Sequence, residues 1–194
     1  MRPGLYEFAG GEPSFLALAA AHHARCLADP ELNHPFSHPG QHPQHVERLA
    51  AYWAEVMGGP PAYSTNCGSH TSMLQLHAGN GDMTDLGRRF VACFAAAADD
   101  AGLPEDPEFR AALDAYMHWA VDEVLGFGPP GAMAPEALQG RTGTGMAWYR
   151  RRVPPERSSG LLDPHLHSAA TGSSLPPGCA LSLGKHQGRG VLRF

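Results

Sequence analysis

Apolar residues in the first two-thirds of the chain recur at helical spacing, and nowhere do they alternate as in a strand. Residues 13–28 place Phe15, Leu18, Ala19, His22 and Cys26 on one face, with Ser14 as a cap and Asp29-Pro30 as the stop. Residues 43–57 carry His45, Leu49, Tyr52 and Val56 in one stripe. Pro43 suits the first turn of that helix, and Gly58-Gly59-Pro60-Pro61 ends it. A loop to about Gly68 follows, then a short helix with Met73, Leu74 and His77 that runs out in Gly79-Asn80-Gly81. Two longer helices close the pattern. Residues 83–100 align Leu86, Phe90, Phe94 and Ala97, and residues 107–125 align Phe109, Leu113, Tyr116, Ala120 and Val124 behind Asp106-Pro107. The expectation is an all-α domain.

The pattern stops at Phe127. Residues 128–194 hold 11 glycines and eight prolines and have almost no apolar periodicity. Such a segment buries too little to offset its chain entropy, so a mostly disordered tail, dispensable for the fold, is expected. Charge divides at the same place. Residues 1–127 carry six basic and 16 acidic side chains, net −10, and the tail carries eight basic and three acidic, net +5. An acidic folded part argues against nucleic acid as a partner. No apolar run is long enough to span a membrane, and the N-terminus lacks the long apolar stretch of a signal peptide. The four cysteines are far apart, with Cys26 and Cys93 inside helical patterns, which suits reduced thiols in the cytoplasm.

Twelve histidines are many for 194 residues. His34, His38 and His42 repeat at a spacing of four, but Pro35, Pro39 and Pro43 break the helix that would align them, and no thiol or carboxylate completes a zinc pattern. His118 reads as a surface or interhelical residue. His22 and His23 are neighbours on a helix, so at least one points inward and needs a partner there. His45 lies on an apolar stripe, where an imidazole is either a core residue with one hydrogen bond or a functional donor. His77 ends its helix, where a histidine also suits the dipole. A lone imidazole at a helix end, opposite a second imidazole across an apolar pocket, is the arrangement of an axial ligand of haem iron.

Several motifs occur in the order of a known family. They are Leu5-Tyr6-Glu7-Phe8-Ala9-Gly10-Gly11, Leu27-Ala28-Asp29-Pro30-Glu31-Leu32 and Phe36. They continue with His45-Val46-Glu47-Arg48-Leu49, Gly58-Gly59-Pro60-Pro61-Ala62-Tyr63 and Leu74-Gln75-Leu76-His77-Ala78. Residues 1–127 thereby resemble the truncated haemoglobins, most closely group II. The resemblance implies a globin-like, two-over-two helical sandwich around haem b. It implies His77 as proximal iron ligand, Phe36 packed on the porphyrin, and His45 and Leu49 on the distal side. Phe90 falls where group II members commonly carry Trp, and His22-His23 stand where they commonly carry Phe-Tyr. Met73 would line the haem and Arg48 would pair with a propionate. His23 and His45 are then the candidate hydrogen-bond donors to a bound ligand, and His45 is a possible distal ligand itself.

The expected function is binding of O₂, NO or CO, as carrier, scavenger or sensor. A redox enzyme on the same haem, an NO dioxygenase or peroxidase-like, is the alternative. It would need an external reductase, since the chain has no reductase domain. A His-rich protein binding a divalent metal without haem is the third reading.

Overall fold

The computed structural model describes residues 3–134. Their regular structure is helical throughout: α1 (Leu5–Ala9), α2 (Glu12–Ala28), α3 (Asn33–Phe36), α4 (His45–Val56), α5 (Ala62–Asn66), α6 (His70–His77), α7 (Thr84–Asp100) and α8 (Pro107–Gly126). Helix α2 packs on α4 and on α7, and α7 packs on α8, so two long helices lie over two others. That is the sandwich the motifs implied. The short helices α1, α3, α5 and α6 fill its edges.

The buried face of α2 is the expected one: Phe15, Leu18, Ala19, His22 and Cys26. Its start differs from expectation. The helix begins at Glu12 after Gly11, and Ser14 lies inside it without capping it. Gly10 and Gly11 both have positive φ, so the chain makes its turn with backbone freedom instead of a side-chain cap. At the other end the Asp29 carboxylate accepts from the N–H groups of Glu31 (2.9 Å) and Leu32 (3.1 Å), which turns the chain into α3.

Helix α4 starts at His45, two residues later than Pro43 suggested. The His42 ring accepts the N–H of Gln44 at 3.0 Å and holds residues 42–44 in a turn. The helix ends where expected, and the reason is steric. Gly58 has φ 99°, and a Cβ on Gly59 would stand 2.8 Å from the Ala54 carbonyl oxygen and 2.7 Å from the Tyr6 ring. The loop expected before Gly68 contains α5, whose buried Tyr63 packs edge-on against Tyr52 with 5.0 Å between ring centroids. Helix α6 has a capping box in which Ser69 and Ser72 each accept the other's backbone N–H, at 3.0 and 2.8 Å. Asp106 caps α8 as expected, accepting from Phe109 N–H at 2.8 Å.

Packing continues past Phe127. The Gly81 N–H donates to the Gly128 carbonyl at 2.8 Å, the Gly79 N–H donates to the Phe127 carbonyl at 2.9 Å, and Ala134 is buried. The glycines after His77 are thus tied to the end of α8. The expected disordered tail, from residue 135 onward, lies outside the described residues.

This sets where the chain can be shortened. A protein ending after Ala134 should melt close to the full chain. One ending after Phe127 loses the Gly128 acceptor and the Ala134 contact, and should melt about 3–6 °C lower, the effect of roughly 1 kcal/mol in a domain this size. Equal melting temperatures for the two in calorimetry would show that residues 128–134 add nothing.

Candidate functional site

Helix α6 presents Thr71, Met73, Leu74 and His77 to the interior, and His77 is fully buried. Its Nδ1 donates to the Met73 carbonyl one turn back, at 2.8 Å. A neutral imidazole that donates from Nδ1 carries its lone pair on Nε2. Burial pushes the pKa of this ring down to about 4, so it is neutral at physiological pH. A neutral imidazole with an oriented lone pair is what a metal ion accepts as a ligand.

Four helices, α2, α3, α4 and α7, meet around a second group of rings. His22 is fully buried, ringed by Phe36, Trp53, Phe90 and Phe94, with the Phe90 ring centroid nearest at 4.3 Å. Its Nε2 lies 3.3 Å from the Phe90 carbonyl and donates to it, and the Cys26 sulfur lies 3.5–3.7 Å from the ring nitrogens. Desolvation lowers its pKa to about 3, against the raising effect of the Phe90 carbonyl. His22 is thus the inward imidazole that the sequence required, held neutral as a core residue. His23, half-buried, looks the other way. Its ring centroid is 5.1 Å from that of His45 and 5.8 Å from that of Phe36. Its Nδ1 is buried and makes no hydrogen bond among the described residues. Burial lowers the His23 pKa as well, so this ring also stays neutral. His45 is buried beside Phe36, with 5.9 Å between centroids, and Leu49 is buried one turn along α4.

The structure therefore brings His23, His45 and Phe36 together, and Phe36 links them to Phe90 at 6.1 Å. Met73 and Phe90 share an apolar cavity with Tyr52, Trp53, Met83 and Tyr116. Arg48 lies at the edge of this group. Its guanidinium donates to the Cys67 carbonyl at 2.9 Å and sits over the Tyr63 ring. His38 and His42 accept backbone N–H groups in turns, at 3.0 Å each, and His118 is exposed near Asp114. Among the described residues no three His, Cys, Asp or Glu side chains gather to hold a metal ion.

The arrangement is a buried, neutral imidazole on α6, and an aromatic cluster with His23 and His45 built from α2, α3, α4 and α7. The family model for bacterial-like globins matches residues 4–122. The chain belongs to the bacterial-like globins. The haemoglobin of the thermophilic phototrophic bacterium Chloroflexus aurantiacus is 27% identical, with a TM-score of 0.55 over 64% of this chain and 98% of that one. A thermostable haemoglobin from the actinobacterium Thermobifida fusca is 28% identical, with a TM-score of 0.53 over 63% of this chain and 97% of that one. The group II truncated haemoglobin of Bacillus anthracis shares the fold at 18% identity and a TM-score of 0.57, over 68% of this chain and 95% of that one. No curated relative matches the chain. The globin family brings haem binding with it, and the likeness to truncated haemoglobins stands.

Helical spacing alone did not single out one polar group. Tyr52 on α4 meets His70 on α6 at 2.8 Å, from hydroxyl to Nδ1, and His70 Nε2 approaches Glu123 on α8 at 3.0 Å. A signal was present, because His70, Met73 and His77 share one face at a spacing of three and seven. Glu123 comes from more than 50 residues away in the chain, and no local pattern couples it to the other two.

The buried imidazole of this globin's α2 has a consequence for acid stability. Its folded pKa of about 3 lies below the ordinary value of about 6.5, so in acid the unfolded chain takes up a proton that the folded chain refuses. Nothing is lost at neutral pH. As the pH falls below about 6.5, His22 should cost the fold about 1.4 kcal/mol per pH unit until the pH nears its folded value. Urea melts of wild type and His22→Leu between pH 7 and 4.5 check this. The variant should show the shallower decline, and identical slopes would remove His22 as a source.

Proposed function

We propose that this globin binds haem b through His77 and takes O₂, NO or CO at the iron, acting as a carrier, scavenger or sensor. The observation that carries the reading is the His77 ring: fully buried, neutral, and held by the Met73 carbonyl with its lone pair on Nε2. The donor set fits the group. One neutral nitrogen would hold the iron, and the apolar side chains Phe36, Leu49, Met73 and Phe90 would line the macrocycle. Met73 and Phe90 line one apolar cavity. When bound, haem supplies an iron centre that holds a diatomic gas reversibly.

The chain's own residues set how that gas is held. His23 and His45 are the proposed donors, since both rings lie beside Phe36. The buried Nδ1 of His23, without a hydrogen bond among the described residues, supports its part. Phe36 and Leu49 exclude water. Arg48 is the proposed partner of a propionate, sharing or exchanging its bond to the Cys67 carbonyl. If His45 moves inward it becomes a distal ligand in its own right. The paired imidazoles, 5.1 Å apart between centroids, also support a second reading, a redox enzyme that oxidises NO or reduces peroxide with an external reductase, because a positioned imidazole can pass a proton. Free, widely spaced cysteines support a reducing compartment such as the cytoplasm.

Optical spectra of the ferric, ferrous and ferrous-CO forms test the reading. His77→Ala should lose most of its haem and regain it with added imidazole. If that variant keeps an unchanged histidine-ligated spectrum, His77 is not the ligand. His23→Phe should release O₂ about tenfold faster or more, the value of a hydrogen bond of about 1.5 kcal/mol or above. An unchanged off-rate in stopped flow would leave His45 as the donor.

A further inference from the structure

Tyr52, His70 and Glu123 form a chain of contacts across three helices. The Tyr52 hydroxyl lies 2.8 Å from His70 Nδ1, and His70 Nε2 lies 3.0 Å from Glu123 Oε2. The second contact has the distance of an ion pair without the angle of a straight hydrogen bond. A carboxylate at that distance requires the proton of a neutral His70 to be on Nε2, since two lone pairs would repel. Nδ1 is then an acceptor, and Tyr52 donates to it. Tyr52 faces the apolar cavity with Met73, Phe90 and Tyr116, while the side chains of His70 and Glu123 are 11% and 23% exposed. The chain thus leads from the interior to solvent. Among the described tyrosines, Tyr52 is the one with an imidazole nitrogen at hydrogen-bond distance.

We infer that Tyr52, His70 and Glu123 form a proton-coupled redox site, in which Tyr52 gives one electron to an oxidant and its hydroxyl proton to His70. A buried phenol holds its proton: desolvation raises the pKa of Tyr52 well above the ordinary value, so no phenolate forms at neutral pH. Removing an electron makes the phenol strongly acidic, and the step is fast only if a base already waits at the hydroxyl. His70 is that base, and Glu123 steadies the imidazolium that results. The O–H bond of Tyr52 breaks, an N–H bond forms on His70, and a neutral tyrosyl radical remains. Return of one electron reverses each change. In the haem-loaded protein the oxidant would be hydrogen peroxide, with haem supplying the redox centre. One peroxide becomes two waters by taking two electrons and two protons: Tyr52 supplies one electron, an external one-electron donor supplies the other, and both protons come from solvent, since the phenol proton stays on His70. This goes beyond the ligand-binding reading, and an external one-electron oxidant tests it without haem.

The test uses the full chain, oxidised by flash-generated tris(bipyridine)ruthenium(III) and, separately, loaded with haem and mixed with hydrogen peroxide. Electron paramagnetic resonance of rapidly frozen samples should show a tyrosyl signal that Tyr52→Phe removes. In His70→Gln the signal should form on the order of 10²-fold more slowly, the low end of what a positioned base contributes. Glu123→Gln should slow it less. Wild-type formation should slow in deuterium oxide, a readout that depends on no variant folding. An unchanged signal in Tyr52→Phe, wild-type kinetics in His70→Gln, or no solvent isotope effect in wild type would each overturn the inference. If the protein takes up no haem, the ligand-binding reading fails and the ruthenium experiment still decides this one.

Discussion

The bond from His77 Nδ1 to the Met73 carbonyl is the interaction on which the proposed chemistry depends. Without it, a ring buried to this depth would be a desolvated polar group with no fixed tautomer or rotation. With it, one nitrogen is satisfied inside the helix that bears the ring, and the ring's orientation is set from one turn back. The bond is local, four residues apart, so α6 positions its own functional atom as it folds. The Ser69–Ser72 capping box gives this eight-residue helix a defined start, and the bonds from Gly79 and Gly81 to the end of α8 fix its exit.

The aromatic wall around His22 is built on a different principle. His22 has one local contact, with Cys26 a turn along α2, and its remaining partners come from other helices. His22 depends on the Phe90 carbonyl and on Cys26, and His23 and His45 share Phe36 as a neighbour. Those partners come from α2, α3, α4 and α7, so the wall exists only once the sandwich is assembled. Desolvation keeps His22 and His23 uncharged. Two adjacent residues on one helix thereby acquire different roles. The fully buried ring is a structural member of an aromatic cluster, and the half-buried one, its ring 5.1 Å from that of His45, keeps a buried Nδ1 without a hydrogen bond among the described residues.

The difference between local and assembled order explains what could be read from the residues alone. The long helices and their inward faces were legible because a 3.6-residue period is a local property, and the faces of α2 and α4 hold the residues it named. Helix starts were less legible. Ser14 and Pro43 are good local signals that yield to a positive-φ glycine pair in one case and to a histidine-held turn in the other. The Gly58-Gly59 pair was visible as a stop, but the crowding by Tyr6 that demands Gly59 is a contact between distant segments. His77, His45 and Phe36 could be named from motif order, whereas the division of labour between His22 and His23 needed the positions of Phe90 and Trp53.

Tyr52 shows how the two orders combine. On the sequence it is one more member of the α4 stripe, and in the fold it does belong to the core, packed on Tyr63. Its hydroxyl cannot be left in that core without a partner. The partner is His70, at the start of the helix that ends in His77, and His70 in turn reaches Glu123 on α8. A tyrosine that served packing alone could be a phenylalanine, with no buried hydroxyl to satisfy. Here the hydroxyl is met by His70, with Tyr116 beside it. The same contacts tie α4, which carries His45, to α6, which carries His77. The helix that carries the proposed iron ligand and the helix that carries the proposed distal histidine are therefore joined by a polar link between Tyr52 and His70.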